Sequence, residues 1–111
     1  MSATLLYDQL IENNPAIERK GKTTPYTSIN GHMFSFLSKE GDMGLRLSNH
    51  DRLAFMEKYH TSLMEQHGRT MKEYVRVSKD LLRKPEELTE YLQKSFDYVS
   101  QLKPKPTKKK K

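Results

Sequence analysis

The dipeptide Asn30-Gly31 constrains this chain more than any other feature. A two-residue hairpin turn of type I′ needs positive φ at both central positions, and Asn-Gly meets that need with little strain. Apolar patterning flanks it on both sides. Tyr26–Ile29 precede it, and Met33, Phe34, Phe36 and Leu37 follow as an almost continuous apolar strand. A second turn at Lys39-Glu40-Gly41-Asp42 leads into Met43, Leu45 and Leu47, which alternate with Gly44 and Arg46. That is the period of a strand with one buried face. Three strands joined by tight turns predict an antiparallel meander.

Helical signals surround the meander. Leu6, Leu10 and Ile11 recur at helical spacing over residues 4–12, with Ser2 or Thr4 available as cap and Pro15 behind the end. Ser48 or Asn49 caps a middle helix whose expected inner stripe is Leu53, Met56 and Tyr59 or His60. Tyr74–Val77 alternates like a strand, and Leu63-Met64 is a shorter candidate to pair with it. A last helix starts at Pro85 with Glu86 and Glu87 in its first turn, favourable placements for proline and for acids. It carries Leu88, Leu92, Phe96, Val99 and Leu102 down one face. Residues 17–24 fit either an edge strand or a loop, and as an exposed edge they would offer a route to a weak homodimer beside the monomer. The pattern predicts one α+β domain over residues 1–102. Its largely antiparallel sheet has about five strands, in the order α-β(3)-α-β(2)-α, with N-terminal, middle and long C-terminal helices.

Charge is unevenly distributed. The formal net charge is +6, from 20 basic and 14 acidic side chains among 111 residues. Six of the lysines stand at the end, as Lys103, Lys105, Lys108, Lys109, Lys110 and Lys111, with no acid among them. Removing those six leaves fourteen basic against fourteen acidic side chains, so residues 1–102 are neutral. A generally basic fold, the mark of many duplex readers, is therefore not encoded. Residues 103–111 contain two prolines and no apolar side chain, a composition expected to stay disordered. Such a segment binds phosphates without sequence preference and in a salt-sensitive way, or simply aids solubility.

Residues with chemical potential do not converge. There is no cysteine, no nucleophile elbow and no phosphate-cradling glycine loop. His60 and His67 near Glu57 and Glu65 lack a recognised zinc spacing, and solvated histidines are the simpler reading. Arg46, Arg69, Lys72 and Arg76 are the cations nearest the sheet. Arg46 and Arg76 have parity opposite to Leu45 and Val75, which places them on the less buried face. They form either an anionic-ligand patch or a solvated face paired with Glu40, Asp42 and Glu73. No catalytic, metal or cofactor residues are assigned. The first residues lack the basic-then-apolar pattern of a secretory signal, and no apolar run reaches the ~20 residues that span a bilayer. The expected setting is the cytoplasm, away from membranes.

Three segments in order carry a family resemblance. They are Asn30-Gly31-His32-Met33, then Gly68-Arg69-Thr70-Met71-Lys72-Glu73-Tyr74-Val75-Arg76-Val77, then Tyr98-Val99-Ser100-Gln101-Leu102-Lys103-Pro104-Lys105. Together they resemble the TfoX/Sxy N-terminal domain family, over about residues 19–105. Members commonly carry Met-Phe-Gly-Gly before the Asn-Gly turn, where this chain has Thr24-Pro25-Tyr26-Thr27-Ser28. The resemblance implies a YjbR-like or secretion-chaperone-like α+β fold. It also implies a non-enzymatic role of the competence and transcription co-regulator type. The expected partner is then an unidentified protein, with non-specific nucleic acid as the alternative through the lysine tail.

Overall fold

The computed structural model describes residues 2–66 and 68–103. Four helices and five strands follow in the order α1 (Ala3–Glu12), β1 (Tyr26–Ile29), β2 (His32–Leu37), β3 (Met43–Arg46), α2 (Asn49–Tyr59), β4 (Leu63–Gln66), β5 (Arg69–Val77), α3 (Lys79–Leu82) and α4 (Pro85–Ser100). The strands form one sheet in the order β1-β2-β3-β5-β4, and every pairing is antiparallel. This is the expected α+β meander, with α2 leading from β3 to an outer strand and the chain returning inward as β5. No helix among the described residues is long and apolar enough to cross a membrane.

Local chemistry explains the boundaries. Asn30 (φ 55°) and Gly31 (φ 82°) both take positive φ, as the hairpin turn requires. Ser2, Ser48 and Ser78 cap α1, α2 and α3 by accepting from the amides of Leu5, Asp51 and Leu81. Residues 17–24 make only one bridge to the sheet, Lys20 against Tyr26, so they are a loop that touches the β1 edge once. Strand β5 begins at Arg69, earlier than its Tyr74–Val77 alternation suggests.

The middle helix turns Met56 and Tyr59 toward the core as its sequence predicts, but not Leu53. Leu53 is 55% exposed, while Phe55 is fully buried. Phe55 packs edge-on against Tyr91 of α4 at 4.9 Å, with Tyr59 beside it, and this aromatic contact sets the rotation of the helix. His60 is not on that stripe. It ends α2 in the left-handed conformation (φ 53°).

One face of the sheet carries the core. Register places Thr27, Ser35, Leu45, Val75 and Leu63 in one row, and Leu37, Met43 and Val77 in the next. Against them pack Leu6, Tyr7, Leu10, Phe55, Leu82, Leu88, Leu92 and Val99 from the helices. β2 opposes β1 through Thr27↔Ser35 and Ser28↔Met33, leaving Phe34 as an extra residue. This bulge lets Phe34 and Ser35 both face the helices, and Phe34 meets Phe96 of α4 at 5.8 Å. The bulge and the end of β3 leave carbonyl groups that the ladder does not use. Ser95, buried in the middle of the apolar stripe of α4, donates its hydroxyl toward both Phe34 O and Arg46 O.

The opposite face is shaped by a second irregularity. Leu63 pairs with Val75 and Met64 with Met71, so Lys72, Glu73 and Tyr74 have no partners in β4. This bends the β4–β5 hairpin sharply. Gln66 and Gly68 come to line one cleft with Leu37 at the end of β2 and with Ser38 and Glu40 of the β2–β3 turn. Phe36 and Met64, both 3% exposed, are buried outside the main core cluster.

Candidate functional site

The helix-free face has Tyr26, Ser28, Met33, Phe36, Gly44, Arg46, Tyr74 and Arg76 along its rows. Its floor is rigid. The Phe36 ring lies over Gly44, occupying the space where a side chain at position 44 would begin. Tyr74 meets Phe36 edge-on at 5.8 Å and donates its hydroxyl to the Met33 carbonyl at 2.6 Å. Burial raises the Tyr74 pKa, so the hydroxyl stays a donor.

The structure distributes the four predicted cations unequally. Arg46 and Lys72 border one shallow cleft of about 460 Å³ with Thr70, Met71, Glu73 and Tyr74. Arg46 Nε lies 2.8 Å from Glu73 Oε1, and Tyr98 of α4 also donates to that oxygen at 3.4 Å. The Arg46 hydrogen bond holds the Glu73 carboxyl below its usual pKa, against an opposing desolvation effect. Arg76 sits apart, in a cleft with Glu40, Asp42 and Glu65, and pairs with Asp42 at 2.9 Å. Arg69 lies at the start of β5, opposite Gln66. Two of the four are thus engaged by acids. Lys72 has no carboxylate within salt-bridge distance among the described residues.

A fifth cation joins this face. Lys20 is drawn in by two backbone bonds to Tyr26, at 2.8 and 3.0 Å, and its Nζ donates to Ser28 Oγ at 3.0 Å. Its stretch lacks periodicity, so only the bridge reveals it. The lysine-rich segment starts at the same end of the sheet. Asn30 donates to Ser100 O at 3.3 Å, and His32 Nε2 lies 2.8 Å from Lys103 O, so the hairpin turn fastens the end of α4. Lys105, Lys108, Lys109, Lys110 and Lys111 lie outside the described residues.

A second surface lies between α2 and α4, where Phe55, Tyr59 and Tyr91 cluster. Lys58 Nζ stands 5.3 and 5.8 Å from the Tyr59 and Tyr91 ring centres, and Lys94 Nζ 5.4 Å from that of Tyr91. Interaction with Tyr91 and Tyr59 raises the Lys58 pKa. Glu87 accepts from the Tyr59 hydroxyl at 3.0 Å. These groups satisfy one another. Among the described residues no three His, Asp or Glu side chains gather in a way that holds a metal ion.

Protein-family models, curated proteins and solved structures offer no match to this chain.

Proposed function

We propose that this chain is a small non-enzymatic binding module of the TfoX N-terminal type, acting through protein interaction. The observation that carries this reading is the unequal treatment of the two sheet edges. The β1 edge is partly closed by Lys20, whereas β4 ends the sheet on its other side. An unpaired edge offers main-chain donors and acceptors to an extended segment, and flanking pockets choose the side chains. Here the flanking cleft contains Leu63 and Met64 beside the acids Glu40, Asp42 and Glu65, and among the described residues Asp42 alone of the three is ion-paired, with Arg76. The fitting partner is an extended protein segment alternating apolar and basic residues. A competence or transcription co-regulator role in the cytoplasm is the biological setting that the motif resemblance supports.

The test is selection of peptides against the full chain from a displayed library, followed by amide exchange. Bound peptides are expected to slow exchange at residues 62–66 and to lose affinity on Glu65→Lys. Selected peptides that protect other segments, and tolerate Glu65→Lys, would refute the reading.

A further inference from the structure

We infer that the cleft bordered by Arg46 and Lys72 binds the carboxylate of a small organic acid, with the apolar part of that acid against Met71 and Tyr74. The decisive group is Arg46. Its side chain is 18% exposed, and Glu73 is its one hydrogen-bond partner among the described residues, reached through Nε at 2.8 Å. A guanidinium offers more N–H donors than one carboxylate can take, and largely buried donors call for acceptors. Arg46 lines the cleft of about 460 Å³, a volume typical of small-molecule sites. Lys72 lines it too, and its ammonium has no carboxylate within salt-bridge distance among the described residues.

The backbone brings the two cations together. Lys72, Glu73 and Tyr74 are the stretch of β5 without partners in β4, and a bulge of this kind re-aims side chains. From the other side β3 holds the stretch in place. Arg46 pairs with Tyr74, and Leu47 N donates to Glu73 O at 3.1 Å. Tyr74 is fixed in turn by its hydroxyl on Met33 O and by its ring against Phe36. The wall of the cleft is therefore built before a ligand arrives, which lowers the ordering cost of binding.

Charge selects a monoanion. Arg46 and Lys72 against Glu73 leave a single positive charge among the lining residues. Arg46 and Tyr98 both donate to one oxygen of Glu73, so that acid is engaged from two elements. Glu40 and Glu65 have no ion partners among the described residues, and they line the clefts of Ser38 and Arg76. Glu65 stands opposite Thr70, at the rim, which turns the charged end of the ligand toward Arg46 and Lys72. A guanidinium fork matches the two oxygens of a carboxylate, whereas a phosphate dianion leaves surplus negative charge beside Glu73. Met71 and Tyr74, both half-buried, offer apolar surface to the rest of the acid.

Titration of the full chain with benzoate, followed by the NMR signals of backbone amides and of arginine Nε–H, tests this. Benzoate is expected to shift the signals of residues 70–74 and of Arg46 saturably. Benzamide, uncharged and of similar shape, is expected to leave them in place, and phenyl phosphate to bind severalfold more weakly than benzoate. Lys72→Gln is expected to weaken benzoate binding severalfold and Lys72→Arg to retain it, with unchanged thermal melts in both. Lys58→Gln, among the rings of α2 and α4, is expected to bind benzoate as the parent chain does. Shifts that never saturate, or an equal response to benzamide, would reduce the cleft to an apolar patch and overturn the proposal. Full benzoate affinity in Lys72→Gln would overturn it as well, and tighter binding of phenyl phosphate would replace the carboxylate by a phosphate ester.

Discussion

Ser95 of α4 donates its buried hydroxyl to the carbonyl of Arg46, the last residue of β3, with Phe34 O as a second acceptor at 3.4 Å. One side chain thus closes both backbone gaps left by the bulge in β2 and the end of β3. Ser95→Ala strands buried carbonyl groups and is expected to cost about 1–3 kcal/mol in urea unfolding. Ser95→Val, which adds bulk at the contact between helix and sheet, is expected to cost more. A neutral Ser95→Ala would mean that the two carbonyl groups find other donors.

Tyr7 makes the fold sensitive to alkali. Its hydroxyl lies fully buried, 2.7 Å from Ser35 Oγ, which in turn meets Thr27 Oγ1. Burial raises its pKa from the ordinary 10 to about 12. The native state therefore favours the neutral phenol. Its contribution is complete below pH 10 and is lost as pH rises from 10 through 12, a change of roughly 2–3 kcal/mol. Lysines titrate in the same range, so the informative quantity is the difference from Tyr7→Phe. That variant is expected to lose about 1 kcal/mol at pH 7 and to show a shallower decline above pH 10. Parallel pH profiles for the two proteins would contradict the account.

Gly44 is required for space. A side chain at this position meets the Phe36 ring, which Tyr74 holds from the side. Gly44→Ala is expected to destabilise by about 1–3 kcal/mol through overpacking. Phe36→Leu alone loses buried area, but in combination it makes room for the new methyl group. The double variant is therefore expected to be more stable than the sum of the single effects by at least about 0.5 kcal/mol, measured by denaturant titration. Strict additivity would show that the two positions do not compete.

The backbone plan was legible because local chemistry and global packing agree there. Asn30-Gly31 can hardly adopt anything but a tight hairpin, and the alternation of Met43, Leu45 and Leu47 matches their burial. The errors have a common cause, since hydropathy carries no information about which aromatic ring finds which partner. Leu53 lies on the stripe that hydropathy favours, yet Phe55 takes the inward position because it packs edge-on against Tyr91 of α4. Ser95 reads as a polar interruption of a stripe, and its value appears only once the bulge at Phe34 is known. The candidate site was legible in residue type and less so in grouping. Parity placed Arg46 and Arg76 on the outer face, but the irregularity at Lys72–Tyr74 and the bridge at Lys20 decided the neighbours.

Arg46 and Glu73 set how this face responds to acid. Glu73 titrates below its ordinary value, with the Arg46 hydrogen bond as the largest cause and the Tyr98 bond a smaller one. A depressed carboxyl pKa stabilises the fold above the unfolded value and ceases to do so as pH falls through the native value. The Glu73 side chain is 44% exposed, so solvent screening limits this contribution to less than about 1 kcal/mol. Arg46 is only 18% exposed, so losing its partner matters more to the arginine than to the acid. An NMR titration of the Glu73 carboxyl is expected to move upward in Arg46→Gln and by less in Tyr98→Phe. The reverse order would mean that α4, rather than β3, controls the charge of the cleft.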